Sequence, residues 1–165
     1  MFQKTSVFII ILFLVLLEVS FLPYLFSDFA PDLVLILIIF LSAREGFNKI
    51  WPIAVTAGIL VDLFFFQTIG MQVIIYSLIA FGVGSLAKRF LVEHKLWGIF
   101  TILFLVVMGT IINSLALDFR EKVFSGEYFL YKSLVNAAAF ITLYVPMRKL
   151  EKMLGRYREP KLIIK

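Results

Sequence analysis

The stretch PDLVLILIIFLSA, residues 31–43, holds no charged side chain beyond Asp32 and no alternation of apolar with polar residues. An unbroken apolar run of this kind reads as a helix, because the strands of a transmembrane barrel alternate lipid-facing and lumen-facing residues with period two. At ~1.5 Å per residue the run covers about 20 Å, short of the ~30 Å hydrocarbon core of a bilayer. The sequence therefore predicts a helix that starts below the outer membrane surface, lined there by protein or water, since backbone polar groups at that depth cannot face lipid. Pro31 suits the first helical position and Asp32 the positive end of the helix dipole.

Apolar runs recur on both sides of this stretch. With 62% hydrophobic and only 16% charged residues in 165, and a mean hydropathy of +1.01, the chain has more apolar surface than one small globule can bury. The surplus requires lipid, and the fold class expected is an all-α membrane protein, a six-helix transmembrane bundle. The spans are expected at Thr5 to Phe26, Pro31 to Ala43, Ile50 to Phe66, Ile69 to Ala87, Leu96 to Leu117 and Tyr128 to Val145. Lys4 ahead of the first run resembles the start of a secretion signal, but no small-x-small site follows it, so the run is read as a retained span. Residues 1–147 then form one membrane domain, and 148–165 a basic amphipathic cytoplasmic tail.

Orientation follows from the basic residues. Lys4, Arg44, Lys49, Lys88, Arg89, Lys95 and the seven Lys and Arg after Val145 fall on one side of the six-span scheme, leaving only Arg120, Lys122 and Lys132 on or near the other. The positive-inside rule places both termini in the cytoplasm of a multi-pass protein. This topology accounts for the net charge of +5, so nucleic-acid binding is not expected. In the tail, Arg148, Lys149, Lys152, Arg156 and Arg158 lie among apolar residues at helical spacing, which suits either an anionic lipid surface or a cytoplasmic partner.

Depth then groups the polar residues inside the spans. Glu18, Asp62, Asn113, Ser114, Lys132 and Asn136 all fall in the outer leaflet, with Gln67 and Gln72 beside the turn that follows the third span. A charge in the bilayer centre costs about 2.5–3.5 kcal/mol on insertion scales, so these groups are expected to seek partners or a wet cavity. Lys132 is the natural counter-ion for Glu18 or Asp62. Two readings stand: an outward-facing polar pocket or interface, and an internal hydrogen-bond network that holds the bundle together. Ala54, Gly58 and Asp62 lie along one helix face at spacing four, and Ala80 and Gly84 form a matching ridge on the next helix, so the two are expected to pack closely and antiparallel.

Catalytic and cofactor chemistry find little support. The chain has no Cys and a single His, His94, in a cytoplasmic loop, which argues against a metal centre. No HExxH is present, Asp62 is the only aspartate well inside a span, and no catalytic residue or cofactor is assigned.

The residues Pro31-Asp32-Leu33-Val34-Leu35, then Gly58-Ile59-Leu60-Val61-Asp62-Leu63, then Gly70 ahead of an apolar helix with Tyr76, make the chain resemble the MreD family of rod shape-determining membrane proteins. The resemblance covers length, span number and the short basic tail, and it implies a noncatalytic component of the bacterial cell-elongation machinery in the inner membrane. Such a component pairs with MreC and helps connect MreB filaments inside to the peptidoglycan polymerase RodA and its transpeptidase partner outside. Pro31, Asp32, Gly58, Asp62 and Gly70 match the family pattern, which gives them no catalytic role. The family is also similar in architecture to the S-components of energy-coupling-factor transporters. The alternative function is therefore a vitamin-binding transporter subunit, although the Ala-x-x-x-Ala contact usual in the first helix of such proteins is missing.

Overall fold

The computed structural model describes residues 2–26, 29–65, 70–90, 95–121 and 126–156. Among these residues there is no strand, and the helices are α1 (Phe2–Ser20), α2 (Leu22–Phe26), α3 (Leu33–Glu45), α4 (Phe47–Phe64), α5 (Met71–Phe90), α6 (Lys95–Glu121) and α7 (Gly126–Arg156). The first apolar run is not one helix. It breaks at Phe21, whose N–H still bonds to Leu17 O at 3.0 Å, and restarts as the five-residue α2. Pro23 explains the break, because a proline there offers no N–H to the carbonyl four residues back and its ring collides with that carbonyl.

The short apolar run of residues 31–43 becomes the centre of the molecule. Every residue of α3 from Leu33 to Ala43 is buried, and α1, α4, α5, α6 and α7 all pack against it. A helix apolar all round is stable only where every face is covered, and here five helices cover it. Pro31 lies outside α3, and Asp32 is its N-cap, with ψ of 88° and a side chain that accepts from the Leu35 N–H. The first helical position is thus Leu33, two residues later than the sequence predicts, because Asp32 uses its side chain to cap the helix rather than its backbone to extend it.

Around α3 the neighbours follow the order α1, α4, α5, α6, α7, with α4 and α5 the most intimate pair. The reason lies at two glycines. A Cβ on Gly58 would stand 2.5 Å from Val73 Cα, and one on Gly84 would stand 2.7 Å from Phe47 N. Ala54 and Ala80 are fully buried in the same bundle. The single residue Gly46, at φ 80°, turns the chain from α3 into α4.

Large apolar side chains cover the outside: Phe13 on α1, Leu78 on α5, Phe104 on α6, and Leu134 and Ile141 on α7 are all well exposed. Among the described residues three helices contain segments long and apolar enough to cross a membrane, namely Phe47–Phe64, Gly98–Leu115 and Gly126–Lys149, and Phe8–Ser20 and Met71–Ala87 are shorter apolar helices. Helix α7 runs 31 residues without interruption to Arg156, past Pro146. At ~1.5 Å per residue that is about 46 Å, longer than a ~30 Å hydrocarbon core, so one helix carries both a membrane-length segment and the start of the basic tail.

Candidate functional site

The buried polar residues gather at the start of α3, and Asp32 is the hub. Its Oδ1 accepts the Leu35 N–H at 2.7 Å, which caps the helix. One residue earlier in the same turn, the Val34 N–H donates to Glu18 Oε1 at 2.7 Å, so a carboxyl group from α1 caps α3 as well. The first N–H groups of any helix lack partners inside it and carry its positive dipole end, which is why two acidic side chains are held at this one terminus.

Three more helices reach the same point. From α5, Tyr76 OH lies 3.3 and 3.4 Å from the two carboxylate oxygens of Asp32. From α6, Asn113 Nδ2 donates to Asp32 Oδ2 at 3.0 Å. From α7, Asn136 Oδ1 accepts the Asp32 backbone N–H at 2.8 Å, and Asn136 Nδ2 donates to Thr110 Oγ1 on α6 at 2.9 Å. The Thr110 hydroxyl in turn donates to Val106 O at 2.8 Å. The interior is apolar, so each of these bonds matters mainly through the cost of leaving its donor or acceptor unpaired, about 1–3 kcal/mol. An aromatic group stands beside the network: Phe29, just ahead of α3, packs against Tyr128 and Tyr131 of α7 with ring centroids 5.7 Å apart in each case.

The structure separates residues that depth alone had grouped. Glu18, Asp32, Asn113 and Asn136 meet, whereas Asp62 stands apart. Its Oδ2 accepts the Gly70 N–H at 2.7 Å and its Oδ1 the Gln72 N–H at 3.1 Å, so a carboxylate on α4 caps the start of α5. Gly70 has φ of 96°, a left-handed backbone that glycine adopts without strain. Lys132 does not make the expected ion pair with Glu18 or Asp62. Its Nζ donates to Tyr128 OH at 3.2 Å and lies 5.5 Å from the centre of that ring. Tyr128 is one turn before Lys132 on the same helix, within easy reach of its flexible stem.

Tyr76 and Thr110 are network members that the sequence reading did not assign to it. Thr110 carried a signal, since it stands three residues before Asn113 on one face of α6 and four after Val106. Tyr76 stands in the motif that carries the family resemblance, but its hydroxyl reaches Asp32 only through the packing of α5 on α3. On the tail, Arg148 lies over the Tyr144 ring at 5.8 Å and Lys149 is exposed. The side chains of Lys152 and Arg156, and Arg158, His94, Gln67 and Lys122 altogether, lie outside the described residues.

Chemically the arrangement is one of struts and caps. Among the described residues no group of three or more His, Cys, Asp or Glu stands close enough to hold a metal.

The model of the MreD family, described as rod shape-determining protein MreD, matches residues 1–154. Neither a curated protein nor a solved structure matches the chain.

Proposed function

This chain belongs to the MreD family of rod shape-determining membrane proteins, and on that premise we propose that it is a noncatalytic scaffold of the cell-elongation complex that binds MreC. The observation carrying the proposal is the use made of the buried polar groups. Asp32, Glu18, Asn113 and Asn136 join helices to one another, and Asp62 fixes the start of α5, so the polar chemistry serves to hold a shape. A bundle fixed in this way presents constant helix faces to a neighbour in the membrane.

The proposal includes six spans of the inner membrane, with α1 and α2 forming the first, α3 the short second, and both termini in the cytoplasm. This topology is similar to that of energy-coupling-factor S-components, and it keeps the basic residues on the inner side. The tail continuing from α7 then meets anionic lipid, each Lys or Arg near the surface contributing about 1 kcal/mol. MreB, RodA and its transpeptidase partner join through MreC or beside it.

The test is co-purification of the full chain with MreC from membranes in mild detergent. MreC recovered in stoichiometric amount supports the scaffold. A folded, monodisperse chain that never retains MreC, when both are expressed together, would sink it.

A further inference from the structure

The two halves of α7 are held in different ways. Over residues 126–139 the helix buries only Ser133 and Asn136, both polar, while Leu130, Tyr131 and Leu134 are well exposed. Over residues 140–149 the buried residues are Phe140 and Met147, both apolar, and the Tyr144 ring makes edge contacts with Phe40 and Phe140. At the end of the molecule where α3 starts, α4 buries Val61 and α5 buries Ile75, so the lack of buried apolar side chains there is not general. Of the three membrane-length helices among the described residues α7 is the least covered, with 17% of its segment buried against 33% for α4 and 44% for α6.

In a membrane this difference decides how firmly each half is held. Lipid tails cover an apolar surface as well as protein does, so helices stay together through close packing and interhelical hydrogen bonds. The second half of α7 has the packing. The first half has Asn136, which takes the Asp32 N–H on α3 and donates to Thr110 on α6, and the Phe29 ring set against Tyr128 and Tyr131. Its other buried residue, Ser133, has an Oγ without a hydrogen-bond partner, so burying it works against closure rather than for it.

We propose that residues 126–139 of α7 form a flap that swings about the anchor made by Phe140 and Met147, with Asn136 as its latch on the start of α3. Segments with few buried apolar contacts open at a lower free energy than the whole molecule unfolds. In the closed state, the one described above, Asn136 joins α7 to α3 and α6. In the open state both of those bonds are broken and water reaches the start of α3. The packing of α1, α4 and α5 on α3 involves no residue of the flap, so only one face of the bundle changes.

The chain contains no Cys, so a single introduced thiol reports on its own surroundings. Ser133→Cys places one on the buried side of the flap, and Ser42→Cys, at a fully buried position of α3, is the reference. The experiment reads the rate at which a water-soluble maleimide labels each full chain in mild detergent, relative to the same chain unfolded, since that rate follows the population of the open form. The expected result is faster labelling at Ser133→Cys than at Ser42→Cys. Adding Asn136→Ala should speed the first by about 5- to 30-fold, as the loss of one or two buried hydrogen bonds does, and leave the second unchanged. Phe29→Ala, which removes only the ring contacts, should speed it by about 2- to 10-fold and decides the matter where Asn136→Ala does not fold. Equal labelling at the two positions would overturn the proposal, and so would an acceleration that either variant produces equally at both, because the molecule would then be opening as a whole.

Discussion

The Asp32 backbone N–H donates to Asn136 Oδ1 at 2.8 Å across 104 residues of chain. This bond sets the start of the central helix against the first half of the last one. It also uses a group that a helix N-cap ordinarily leaves to water, so α7 does for α3 what solvent does at an exposed helix start.

Replacing the hub should therefore cost more than a cap. Asp32→Ala removes the Leu35 cap, worth about 1 kcal/mol, and strands the Asn113 amide and the Tyr76 hydroxyl at about 1–3 kcal/mol each. Asp32→Asn keeps one acceptor oxygen and should lose about half as much. Thermal unfolding of the full chain in detergent measures both, and equal melting points for wild type and Asp32→Ala would contradict the strut reading.

Asp62 acts at a different place and should behave independently. Asp62→Leu leaves the N–H groups of Gly70 and Gln72 without their acceptor, a loss of about 1–3 kcal/mol, and on the scaffold proposal it lowers MreC co-purification. Its effect should add to that of Asp32→Ala, since the two sites share no partner among the described hydrogen bonds. Unchanged folding and unchanged MreC recovery would remove Asp62 from the account.

Two glycines give an internal contrast. Gly58→Ala drives a methyl group into the Val73 backbone and should cost about 1–3 kcal/mol through overpacking, whereas a Cβ on Gly82 meets nothing within 4 Å. Gly82→Ala should leave stability unchanged or raise it by up to about 1 kcal/mol through helix propensity. If both variants melt alike, the α4–α5 contact is looser than described.

The link between α6 and α7 can be isolated by a double-mutant cycle. Asn136→Ala and Thr110→Ala should be non-additive by about 0.5–1 kcal/mol, because each removes the other's partner. Additive losses would show that the two side chains do not hold one another.

Lys132 provides the test of an ion pair that the structure does not contain. Lys132→Met removes a bond to Tyr128 and a cation–π contact, together worth about 1 kcal/mol, and should destabilise far less than Asp32→Ala. A loss as large as that of Asp32→Ala would mean that Lys132 neutralises the carboxyl groups directly.

The difference between the expected and observed positions of Asp62 shows where sequence stops. Depth along a span follows from counting residues at a fixed rise, and by that count Glu18, Asp62, Asn113 and Asn136 share one leaflet. Which way each side chain points around the bundle depends on how the helices are arranged about α3, and no residue count contains that. Asp62 faces the start of α5, its own neighbour in sequence, while the others face the centre. The Ala54 and Gly58 stripe was legible because small residues at spacing four leave room for close approach whichever helix fills it. Pro23 was equally visible, but its break in the first apolar run emerges only with the backbone hydrogen bonds.

Apolar runs without period two were enough to read this chain as a helical membrane protein. Those properties are local or additive, set by the rise of one helix and the cost of placing charge in lipid. Only the tertiary structure decided that the short apolar helix α3 is the centre of the bundle, that Asp32 rather than Asp62 is the hub, and that Lys132 turns to Tyr128. Each of those outcomes is a competition among partners far apart in the chain, and hydrogen-bond geometry in a water-poor interior selects the winner.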